Sequence, residues 1–103
     1  MLIKLGVNIS LLDRNMRRKL NVIDDFYTKN TNYEAVVTST YEGSHSPGSL
    51  HYCHQAIDIR KPAYIANIPL PVVDFVAQLA QILGEDFDVV LESDHIHIEY
   101  DPK

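Results

Sequence analysis

The segment "FDVVLESDHIHIEY", Phe87 to Tyr100, constrains the fold more than any other. "FDVVLE" and "HIHIEY" are rich in β-formers, and only Ser93-Asp94 separates them. A connection that short joins two antiparallel strands in a hairpin. Side chains two apart on a strand share a face, so His95 and His97 project the same way from it. Upstream, "YEAVVTSTY" reads as a strand from its β-branched and aromatic residues, and "HQAIDIR" as another around Ala56, Ile57 and Ile59. Residues 2–7 suit a further short strand. "NISLLDRNMRRKLNVIDDFYTK" places Leu11, Leu12, Met16, Leu20, Ile23 and Phe26 on one helical face, with Ser10 as the expected N-cap. "LPVVDFVAQLAQILGED" has proline near its start and Gly84 just past its end, the punctuation of a second helix. "EGSHSPGS" is a loop and "KPAYIANIPL" is irregular. The expected class is α+β: a small, mainly antiparallel sheet with one or two helices packed on one face.

A length of 103 residues suits a single domain, 1–103, with one core. Nine basic against fourteen acidic residues give a net charge of −5, which argues against a nucleic-acid surface. The basic knot "RNMRRK", Arg14 to Lys19, reads as a solvated helix face. The single cysteine excludes an intramolecular disulfide. The N-terminus is a poor secretory signal, and no apolar run approaches the roughly 18 residues of a membrane span. Expected, therefore, are a cytoplasmic location and no membrane insertion. The oligomeric state is not legible in the sequence.

Two polar clusters carry the candidate chemistry. "SPGSLHYCHQAIDIR" holds His51, His54 and Asp58 within eight residues, with Cys53 among them, and "ESDHIHIEY" holds Glu92, Asp94, His95 and His97. Two imidazoles on one hairpin face, with a third ligand from elsewhere, make a common zinc arrangement that leaves a position for water. The plain alternative is that an isolated H-x-H on an edge strand faces solvent. Four of the five histidines fall in these two clusters, and His45 stands just ahead of the first. A rival arrangement makes residues 51–58 helical, so that His51, His54 and Asp58 share a face; the β-rich "AIDI" and the Pro-Gly loop oppose it. Cys53 suits either a soft metal or a small buried apolar position.

"GSLHYCHQAIDI" resembles the signature S-x-H-x-x-G-x-A-x-D-[IL] of the zinc D-alanyl-D-alanine carboxypeptidases. Relatives of that family include the phage L-alanyl-D-glutamate endopeptidases and the Hedgehog signalling domain. Ser49, His51, Ala56, Asp58 and Ile59 match in place. "HSPGSLHY…AIDI" and "DFDVVLESDHIHIEY" are similar to the Hedgehog segments H-S-x-x-S-L-H-Y and F-D-x-V-x-x-E-S-x-x-H-I-H, with one residue fewer in the hairpin turn. The likeness covers about a third of the chain, at two correctly ordered places.

The resemblance implies a Hedgehog/DD-peptidase-like fold and one zinc held by His51, Asp58 and His97, with water in the fourth position. It also implies a nearby carboxylate as general base. Glu92 corresponds to the hairpin acid of the family, while Asp94 stands three before His97, where the carboxypeptidases carry theirs. Asp also favours turns, which is the plain reading of Asp94. His95 and His45 would line the site and hydrogen-bond the water or the tetrahedral intermediate; an exposed loop position is the plain reading of His45. Three departures stand out. His54 replaces the glycine of the signature. Glu42 lies near the place where the bacterial enzymes carry a substrate-polarising arginine. The acidic calcium loop of the Hedgehog domain is absent. The implied function is a zinc-dependent peptidase cutting an amide in a peptidoglycan stem peptide. Small size and family habit suggest a phage origin and release to the cell wall by a phage route. The alternative is a non-catalytic zinc-containing peptide- or protein-binding module.

Overall fold

The computed structural model describes residues 1–40, 55–62 and 71–102. The elements run β1 (Leu2–Ile3), α1 (Arg14–Thr31), β2 (Val36–Ser39), β3 (Ala56–Arg60), α2 (Val72–Leu83), β4 (Phe87–Leu91) and β5 (His95–Tyr100). The five strands form one sheet in the order β1-β2-β3-β5-β4. β1 runs parallel to β2, and every other pair is antiparallel. The α+β class and its mainly antiparallel sheet are therefore as the sequence leads one to expect. No helix among the described residues is long and apolar enough to cross a membrane.

The helix α1 starts later than its apolar spacing suggests. Asp13, not Ser10, is the N-cap, and its carboxylate accepts the Asn15 backbone N–H. Ser10 instead donates its hydroxyl to Asn8 Oδ1, and the Leu12 N–H closes a turn onto the Ile9 carbonyl. That turn leaves Leu11 exposed while Leu12 enters the core. The helix ends at Asn32, which takes a left-handed φ of 63° and returns its N–H to the Thr28 carbonyl. α2 starts after Pro71 and stops at Gly84, whose φ of 96° disfavours a side chain. The expected strand over residues 2–7 is confined to Leu2–Ile3, and Gly6, with φ 89°, turns the chain away behind it.

Both helices cover the same face of the sheet. Met16, Leu20, Ile23, Phe26 and Tyr27 of α1 meet Phe75, Leu79 and Leu83 of α2 over Val37, Ile57, Ile59, Ile96 and Ile98. Phe75 joins the helices: its ring lies 4.9 Å from Phe26 and edge-on to Tyr27 at 5.5 Å. The Tyr27 hydroxyl is buried there with no hydrogen-bond partner among the described residues, and desolvation pushes its pKa up to about 12. Strand alternation then leaves Asp58, Arg60, His95, His97 and Glu99 to the opposite face.

Candidate functional site

The centre of the sheet is the β3–β5 ladder, and its register places Asp58 directly across from His97 and Arg60 across from His95. Residues 39 positions apart are thereby brought into contact. His97 Nδ1 lies 3.0 Å from Asp58 Oδ1, and His95 Nε2 lies 3.5 Å from the same oxygen. His97 Nε2, on the far side of the ring, lies 3.8 Å from Glu99 Oε2. Asp58 is buried, and its backbone carbonyl accepts the Thr38 hydroxyl at 3.3 Å beside a register shift between β2 and β3. Bulges of this kind often lie next to functional residues.

The hairpin turn supplies the next group. The Glu92 N–H donates to the His95 carbonyl at 2.9 Å, closing a two-residue loop of Ser93 and Asp94. Lys61 Nζ donates to the Ser93 carbonyl at 3.1 Å and ties the turn to the end of β3. Asp94 Oδ1 is hydrogen-bonded to His95 Nδ1, which orients the ring so that its other nitrogen faces Asp58. Glu92 is exposed, and its carboxylate forms no hydrogen bond or ion pair with a described residue.

The electrostatics follow from this packing. The Asp58 hydrogen bond, reinforced by the charges of Asp58 and Glu99, raises the His97 pKa above its ordinary 6.5 against the opposing effect of burial.

The residues expected to do chemistry divide cleanly. The structure brings together Asp58, His95 and His97, and places Asp94 against His95. Glu92 stands at the mouth of the same hairpin. His45, His51, Cys53 and His54 lie outside the described residues. The rival helix over 51–58 does not form at its end, because Asp58 is in a strand. Among the described residues no three His, Cys, Asp or Glu side chains are arranged to share a metal ion. Two groups on this face did not figure among the expected site residues, Glu99 and Arg60. Period-two counting from His97 and from Asp58 reaches both.

The chain matches no protein-family model, no curated protein and no solved structure. The likeness to the zinc peptidases thus rests on the short segments around His51–Asp58 and Glu92–His97.

Proposed function

We propose that this chain is a zinc-dependent peptidase that hydrolyses an amide bond in bacterial cell-wall peptides. The observation that carries the reading is the Asp58–His97 pair. The resemblance names these two as ligands, and they come from distant segments to within 3.0 Å on the site face of the sheet. A carboxylate and an imidazole this close would hold the ion together, and its binding would displace a proton. The donor set, two imidazoles and a carboxylate once His51 is counted, is the N/O chemistry zinc takes in catalytic sites.

Zinc held there would supply a water of pKa about 7 and polarise the scissile carbonyl. The remaining work falls to the hairpin. Glu92 follows Leu91, a core-side residue, so alternation turns it to the face that carries His95 and His97. Its carboxylate is not engaged by any described group, and it takes the proton from the attacking water and returns it to the leaving amine. Asp94 is a positioning residue that holds His95, whose Nε2 hydrogen-bonds the attacking water.

The test is zinc content and peptidoglycan cleavage of tag-free protein. One zinc per chain is expected, lost in Asp58→Ala and His97→Ala. Glu92→Gln should retain zinc and lose roughly 100-fold or more in turnover, as expected for a positioned acid–base group. Full activity in a Glu92→Ala, Asp94→Ala double variant removes the mechanism. Stoichiometric zinc with no turnover on any stem peptide replaces it with the binding-module reading.

A further inference from the structure

We infer that the outer edge of β4 is the interface of a homodimer, in which a second copy of this chain pairs its own β4 antiparallel to the first about a two-fold axis at Val89. This edge lies on the far side of β4 from β5 and takes no part in the candidate site.

Hydrogen-bond alternation fixes what the edge offers. Along the β4–β5 hairpin the Glu92 N–H donates to the His95 carbonyl, and the Asp101 N–H donates to the Asp86 carbonyl. Bonded pairs alternate along an antiparallel ladder. Asp88 and Val90 therefore turn their backbone groups to β5, while Phe87, Val89 and Leu91 turn theirs outward. The Phe87 N–H is taken by the Gly84 carbonyl at 3.2 Å. The Val89 and Leu91 N–H groups have no acceptor among the described residues, in which β4 ends the sheet. Natural sheets blunt such an edge with lysine, proline or a bulge. Phe87–Leu91 has none of these: its register with β5 is unbroken and its one charge is Asp88. The opposite edge, β1, is only two residues long.

A second copy matches this row of groups. With the axis at Val89, the Val89 N–H of each copy meets the Val89 carbonyl of the other, and each Leu91 N–H meets the other copy's Phe87 carbonyl. All four outward N–H groups are then paired. The N–H that this register leaves out, that of Phe87, is the one already bonded within its own chain. The side chains agree. On the helix-covered face Phe87 lies opposite Leu91 and Val89 opposite itself. On the other face Asp88 lies opposite Val90, so like charges do not meet directly. The helix α2 extends the same interface. It packs on β4, and its Gln78 and Ile82 border the groove shared with Val22 and Phe26 of α1. Helical spacing puts Val73, Val76 and Ala80 on the opposite flank, over the β4 edge. Val73 is 68% exposed there. The two-fold axis sets two such flanks side by side, and their small apolar side chains allow the helices to approach closely.

The experiment combines sedimentation equilibrium of the full-length chain with disulfide trapping in a Cys53→Ser background, which removes the only native cysteine. Wild type should pass from monomer to dimer with a Kd of roughly 1–100 μM, as suits a small interface. Val73→Glu sets two carboxylates against each other across the axis and should weaken the dimer about tenfold or more. Under mild oxidation Val89→Cys should cross-link, because bonded pairs stand about 5.5 Å apart at Cα, within disulfide reach. Val90→Cys, offset diagonally from its own copy by about 7–8 Å, should not. A chain that stays monomeric to about 1 mM overturns the dimer and leaves the edge to a strand from another protein. A dimer of wild-type affinity in Val73→Glu, with no trapping through Val89→Cys, also overturns it by placing the contact elsewhere. If Val73→Glu does not fold, the trapping pair decides alone, and equal yields from Val89→Cys and Val90→Cys overturn the register.

Discussion

The strands β3 and β5 present two faces built by the same alternation, and the faces follow different rules. Toward the helices they place Ile57, Ile59, Ile96 and Ile98, all fully buried. Away from the helices they place Asp58, His95, His97 and Glu99, linked by contacts of 3.0 to 3.8 Å. The apolar face is held by area and shape, which many neighbours supply at once. The polar face is held by a few directed contacts, each dependent on one partner. Substitution on the first face should therefore cost stability. On the second it should cost chemistry and little stability.

The largest effect belongs to the apolar face. Ile96 is fully buried on the helix-covered face of β5, so Ile96→Ala should destabilise by about 2–5 kcal/mol, the range for deleting a large buried aliphatic side chain. Urea unfolding measures it. A wild-type midpoint would mean that the core repacks around the loss, and the contrast between the faces would fail. A smaller effect of opposite sign is expected at Tyr27, the flaw in that core. Its hydroxyl is buried with no partner among the described residues, and such a group costs about 1–3 kcal/mol. Tyr27→Phe removes the group and keeps the ring against Phe75, so it should stabilise by about 1 kcal/mol. Loss of stability in thermal unfolding would show that the oxygen has a partner, such as a buried water.

The two faces were not equally legible in the sequence. Alternation in "AIDIR" and "HIHIEY" is enough to assign Ile57, Ile59, Ile96 and Ile98 to a common side, because one strand's pattern suffices to place its own residues. The polar contacts depend on register between segments 39 residues apart, which no local pattern carries. The motif likeness supplied the pairing of Asp58 with His97, and the ladder adds His95 and Glu99 around it. Local competition explains the other difference. Ser10 is as good an N-cap as Asp13 by residue type, but the Leu12 N–H it would cap is given to the Ile9 carbonyl in a separate turn, so α1 begins at the next cap.

The smallest effect is the most specific, because it isolates one contact of the polar face in metal-free protein. The Asp58 hydrogen bond raises the His97 pKa above 6.5. A raised value in the folded chain means that folding favours the protonated ring. The resulting stability is fully present below about pH 6.5, the unfolded value, and is lost as pH rises through the higher folded value. Asp58→Asn keeps the shape and removes the charge. The difference in stability between wild type and Asp58→Asn should therefore shrink as pH rises through that window, and proton NMR should find His97 titrating lower in the variant. Ile96→Ala should show no such window, since no titrating group is lost. If its deficit followed the same pH dependence, the core would be coupled to the protonation of His97. The two faces would then behave as one unit rather than as a scaffold and a site.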